Sequence, residues 1–150
     1  PVERSKAEVE TILRRYGADA FMHGWDTDKA IIQFRAKGRF IRFVLPLPAR
    51  EDFRFKVRKV NQFDKGLNVR LSEAETSKAW EQAQRQRWRA LVLAVKAKLE
   101  AVESGIATFE DEFLAYTVLP NGATVGTWLQ PQLQEAYDSG KMPPMLPPGN

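Results

Sequence analysis

Residues 30–45 read Ala-Ile-Ile-Gln-Phe-Arg-Ala-Lys-Gly-Arg-Phe-Ile-Arg-Phe-Val-Leu. Apolar and polar side chains alternate through Ala36, which is the period of a strand with two unlike faces. Lys37-Gly38 is the right length and chemistry for a two-residue hairpin connection, and Arg39 to Leu45 then returns as a second strand. Pro46 and Pro48 stop it, because proline cannot donate to a sheet ladder. An antiparallel hairpin therefore sits at the centre of the fold.

Working outward, Ala20 to Trp25 reads as a strand before the hairpin, joined to it through the turn Asp26-Thr27-Asp28-Lys29. Ser5 to Arg15 reads as an opening helix capped by Ser5, with Val9, Ile12, Leu13 and Tyr16 on its apolar face and Gly17 at its end. After the hairpin, Phe53, Phe55 and Val57 alternate with Arg54, Lys56 and Arg58, the pattern of a further strand with a cationic face. Such a face either protects a sheet edge or meets a polyanion.

Ser72-Glu73-Ala74-Glu75 opens the longest element, a helix predicted to run to Ser104 and to close at Gly105. At ~100° per residue, Trp88, Leu91, Val95, Leu99 and Val102 form one apolar stripe. Lys78, Arg85, Arg89 and Lys96 form a second stripe, within ~20° of one line. Phe109 to Tyr116 is a short helix whose acidic start, Glu110-Asp111-Glu112, suits the helix dipole. Val125 to Tyr137 is a last helix, and Pro131 is expected to confine its regular part to the residues after it. There is no internal repeat. The expected architecture is α+β: a short N-terminal helix, a three- to four-stranded antiparallel sheet, a long helix packed on it, and two smaller C-terminal helices. One domain over 1–140 is followed by a Pro-rich extended tail at 141–150.

Charge is unevenly distributed. Residues 29–70 carry twelve Lys and Arg against Glu51, Asp52 and Asp64, whereas Lys141 is the one base after Leu99, against seven acids. A basic middle is the footprint of a protein that meets phosphate, and an acidic end can pair with the basic middle of another copy. The nucleic-acid candidates are Arg35, Lys37, Arg39 and Arg42 around the hairpin, Arg54, Lys56 and Arg58 on the next strand, and Lys78, Arg85, Arg89 and Lys96 on the long helix. Phe63 is the candidate for stacking on a splayed base, while Phe53 and Phe55 are expected to serve the core.

Catalytic chemistry finds little support. With no cysteine and one histidine, His23, the chain lacks the common nucleophile–base pairs and imidazole or thiolate metal sets. Asp26 and Asp28 are explained by turn preference. No cofactor, metal or catalytic residue is expected. The absence of an apolar run of ~20 residues or of a signal-like start points to a soluble, cytoplasmic protein.

The segments Trp80-Glu-Gln-Ala, Arg87-Trp88-Arg89-Ala-Leu, Lys96-Ala-Lys98-Leu-Glu-Ala-Val-Glu, Phe109-Glu-Asp-Glu-Phe-Leu, Leu119-Pro-Asn-Gly and Val125-Gly-Thr-Trp128 resemble an uncharacterised family of small phage and prophage proteins. The opening Val2-Glu3-Arg4-Ser5 and Tyr16-Gly17-Ala18 do too, so the resemblance spans nearly the whole chain except about 49–71. It implies a phage setting and no catalytic residues. The order of elements alone is similar to that of ring-forming single-strand annealing proteins. The expected function is non-enzymatic nucleic-acid binding, of single strands in preference to duplex, as a recombination or annealing accessory that forms homo-oligomers. In host-cell cytoplasm this needs no membrane. The alternative is an interaction module that modulates a phage or host enzyme through its acidic C-terminal third and Pro-rich tail.

Overall fold

The computed structural model describes residues 2–26, 28–54, 57–59, 68–70 and 72–142. Three strands, β1 (Ala20–Trp25), β2 (Lys29–Ala36) and β3 (Arg39–Pro46), form an antiparallel sheet in chain order. At the central hairpin Ala36 pairs with Arg39. Lys37 has φ 51° and Gly38 φ 73°, so both connecting residues take the positive φ that a type I′ turn demands.

The pleat divides the sheet into two faces. Ala30, Ile32, Phe34 and Ala36 of β2, with Ile41 and Phe43 of β3, are buried on one. Helices cover that face. α1 (Val2–Tyr16) contributes Val9 and Leu13, and α3 (Glu73–Glu103) contributes Trp88, Leu91, Val92, Val95 and Leu99. The expected apolar stripe is thus the packing stripe of α3, with Val102 partly buried at its end. α4 (Phe109–Glu112) and the 3₁₀ turn Leu114–Tyr116 close the layer. Phe113 is fully buried there, edge-on to Phe34 at 5.9 Å and to Phe43 at 6.2 Å. Such edge-to-face pairs match the ring quadrupoles. The result is the α+β fold expected, with a long helix packed on an antiparallel sheet.

Four details differ from expectation. α1 starts at Val2, so Ser5 lies inside the helix; Val2 packs against the core and Glu3 suits the first turn. Phe53 is not on a strand. It lies buried in a short helix, α2 (Glu51–Arg54), whose start is held by Asp52: its Oδ2 accepts from Ala49 N–H, and its own N–H donates to the Ala49 carbonyl in a backbone turn. Among the described residues the strand that follows is Val57–Lys59 (β4), paired with Asn68–Arg70 (β5) in a separate ribbon, and the main sheet has three strands. Finally, α5 (Val125–Ser139) runs straight through Pro131. Proline there deprives only the Thr127 carbonyl of its helical partner, and Thr127 is exposed to water. Caps hold both ends: Thr124 accepts from Thr127 N–H, and Gly140 takes φ 68°.

Among the described residues no helix is long and apolar enough to cross a membrane. Of the tail, Lys141 and Met142 are described; 143–150 lie outside the described residues.

Candidate functional site

α1 and α3 pack side by side in the same sense: Lys6 sits over the Trp88 ring at 5.2 Å, and Tyr16 stacks on Phe109 just beyond the end of α3. Since the core-facing stripe of α3 points to the sheet, the stripe ~80° around the helix points toward α1 and outward. Between the two helices runs an open groove of about 1170 Å³. Its α3 wall carries Arg85, Arg89 and Lys96, three of the four residues of the expected basic stripe; Lys78 is exposed further toward the N-terminus and does not line it. Its α1 wall carries Arg4 and Arg15. On each wall the outermost cations are eleven residues apart, or ~16 Å along a helix. Ile12, Leu93 and the small side chains of Ala7 and Ala90 supply apolar surface between them.

Five cations line this groove against one carboxylate, Glu8. Lys96 Nζ donates to Glu8 Oε1 at 2.6 Å, and Arg89 Nη1 lies 3.6 Å from Glu8 Oε2. The hydrogen bond from Lys96, helped by the charges of Lys96, Arg89 and Arg4, holds the Glu8 carboxyl below its ordinary value. Among the described residues Arg85 is bonded to the neutral side chain of Gln82. The groove can therefore bind a chain of anions, with Glu8 acting as an internal competitor for two of its cations. Toward the C-terminal end of α3 it passes Lys96 and meets Glu100 and Glu103, so its potential falls off at that end.

The hairpin cations lie elsewhere. Arg35 and Arg42 point from the open face of the sheet, on the far side of the core from the groove. Arg35 Nε donates to Asp19 at 2.8 Å and its guanidinium lies over Phe40; this bond raises the Arg35 pKa and lowers that of Asp19. Arg42 donates to Gln33 Oε1 and to the Gly122 carbonyl, tying the 119–124 turn to β3. Lys37 reaches over the Phe109 ring at 5.6 Å, and Arg39 is exposed beside it. Sheet and long-helix cations thus form two surfaces, not one. Lys56 and Phe63 lie outside the described residues, as do the side chains of Arg54 and Arg58.

Arg4 and Arg15 were missed by the sequence reading. Their signal was present: eleven residues apart, they fall within ~20° of one line on the α1 wheel, the same relation as Arg85 to Lys96. His23 is exposed on β1, its ring 6.1 Å from that of Phe21. Among the described residues no group of three His, Cys, Asp or Glu is placed to hold a metal ion. No family model matches the chain, and no curated protein or solved structure matches it either.

Proposed function

We propose that this is a non-enzymatic nucleic-acid-binding protein that takes the sugar-phosphate backbone of a single strand along the α1–α3 groove. The observation that carries the reading is the convergence of Arg4, Arg15, Arg85, Arg89 and Lys96 on one open groove with a single opposing carboxylate. Cations so arranged neutralise phosphates and release counterions whatever the base sequence. The groove is a furrow between helices in direct contact, which suits one backbone better than the width of a duplex. Its apolar floor at Ile12 and Leu93 gives sugars and unstacked bases a surface to rest on. A role as a recombination or annealing accessory in a phage setting rests on the sequence resemblance and belongs to the same proposal.

The test is fluorescence anisotropy with labelled single- and double-stranded oligonucleotides at two salt concentrations. Five phosphate contacts at ~0.7 each give a log–log slope near 3.5, so affinity for a single strand should fall roughly 100-fold from 50 to 200 mM salt. Arg85→Ala with Arg89→Ala should reduce that fall to about 20-fold, since two contacts are lost. Binding by the wild type with an unchanged slope in the double variant would move the site off the groove. No binding to any oligonucleotide would favour the interaction-module reading, for which the exposed apolar residues of α5 are the observation.

A further inference from the structure

β1 is an edge strand: the sheet order is β1-β2-β3, and among the described residues no strand pairs with its outer side. Sheet edges are commonly guarded by charge or proline, and Ala-Phe-Met-His-Gly-Trp has neither. The hairpin fixes which backbone groups are open. A two-residue connection at Lys37-Gly38 makes Ala36–Arg39 a hydrogen-bonded pair, so Arg35, Gln33 and Ile31 bond to β1 through Ala20, Met22 and Gly24. The bond from Val118 N–H to the Phe40 carbonyl, on the far side of β3, has the same phase. Phe21, His23 and Trp25 therefore turn N–H and C=O outward. Their side chains share the helix-covered face with Phe34 and Ile32, yet of the three only Phe21 packs against the core. His23 is exposed and Trp25 is 79% exposed. Gly24 lies on the opposite face. It has no positive φ, and a Cβ built on it meets nothing within 4 Å, so neither backbone nor packing within the described fold calls for glycine. Glycine inside a strand often marks close approach by another group.

We propose that β1 pairs antiparallel with β1 of a second copy about a two-fold axis at His23, joining two three-stranded sheets into one. The proposal rests on β1 and not on the nucleic-acid reading. What selects a second copy is the strand's own sequence, which complements itself about His23. In this register His23 faces His23, Phe21 faces Trp25, and Met22 faces Gly24 of the other copy. Met22, 61% exposed, then fills the open space above that glycine. Trp25 of the second copy extends the row Phe21–Phe34–Ile41 that already crosses the sheet, and aromatic cross-strand pairs are stabilising. Each outward-facing pair exchanges two bonds, about six in all along ~20 Å of strand. Neighbouring registers are worse. One sets Met22 on Met22 and Trp25 against Asp19; the other sets Met22 against Asp26. In the proposed register no acid stands opposite an acid: Asp26 faces Ala20, one strand from Arg35, and Asp19 keeps its bond to Arg35. The contact is isologous and closes on itself.

A single strand pair is a small interface, so the dimer should be weak and concentration-dependent. Sedimentation velocity from about 10 to 500 µM should show the 17.1 kDa chain passing to a dimer. Trp25→Lys, at an exposed site, should stay monomeric with an unchanged circular dichroism spectrum. The chain has no cysteine, so the register can be read directly. Facing residues at the axis have Cα atoms ~5.5 Å apart, within disulfide reach. The two copies of Met22 and of Trp25 would be roughly 8 Å and 14 Å apart. Under mild oxidation His23→Cys should therefore give a disulfide-linked dimer at least about tenfold faster than Met22→Cys or Trp25→Cys. A wild type that stays monomeric throughout overturns the proposal. So do equal rates at the three positions, fastest linkage at Met22→Cys or Trp25→Cys, or a Trp25→Lys chain that dimerises like the wild type.

Discussion

Glu8→Gln should make the protein bind a single strand more tightly, an outcome that damage to the fold would not produce. The Glu8 carboxylate holds Lys96 at 2.6 Å and stands 3.6 Å from Arg89, in a groove whose other charged lining residues are all cations. A phosphate that uses either cation must first compete with it. Glutamine keeps the size and a hydrogen-bonding oxygen but removes the charge. The wild-type slope already counts all five cations, so releasing Lys96 and Arg89 from the carboxylate should strengthen binding several-fold at each salt concentration while the log–log slope stays near ~3.5. Anisotropy titrations of wild type and variant at four salt concentrations measure both quantities. The carboxylate is partly exposed and its ion pair is worth little, so the melting temperature should fall only slightly near neutral pH. A folded variant with equal or weaker affinity would show that the polyanion does not lie along α1 and α3.

Trp88 is 3% exposed at the centre of the α3 packing stripe. Trp88→Ala should cost roughly 3–5 kcal/mol in urea unfolding, and a loss under 1 kcal/mol would show that the site collapses without a cavity. Glu8 and Asp19 both have carboxyls held below their ordinary values, by Lys96 and Arg35 respectively. Each therefore contributes stability above its unfolded-state value that is lost as pH falls through the lower native one. Asp19→Asn should flatten the acid side of the stability profile, and an unchanged profile would show that the Asp19–Arg35 bond does not persist in solution.

Much of the fold was legible because it rests on periodicity. The hairpin at Lys37-Gly38 and the α3 stripe through Trp88 and Leu99 follow from alternation, turn chemistry and a 3.6-residue repeat. At Phe53 the same alternation misled: hydrogen bonds between Ala49 and Asp52 hold the start of a helix where the pattern suggested a strand. Similarly, α5 continues through Pro131, which leaves without a helical donor the carbonyl of Thr127, an exposed residue. Half of the candidate groove was visible as the basic stripe of α3. The other half was not, because the charge density of residues 29–70 drew attention to the hairpin while Arg4 and Arg15 stood in a helix of mixed charge. Which basic residues share a surface depends on the parity of each strand and the side on which helices pack, and composition carries neither.

α3 is longer than the core it packs on. From Trp88 to Leu99 it is pinned by five buried side chains, whereas from Ser77 to Arg87 none is buried. That half is held at its margin, by Trp80 Nε1 donating to the Pro48 carbonyl at 2.7 Å and by Arg50 reaching Glu73 and Ser77. Local opening energy follows buried contact, so one continuous helix is divided into a stiff half and a compliant half. The division falls inside the groove: Lys96 stands on the stiff half, Arg85 on the compliant one. Under the proposed function, an incoming strand would meet a fixed anchor at one end and an adjustable grip at the other, and a single groove would accept backbones of different pitch without disturbing the core.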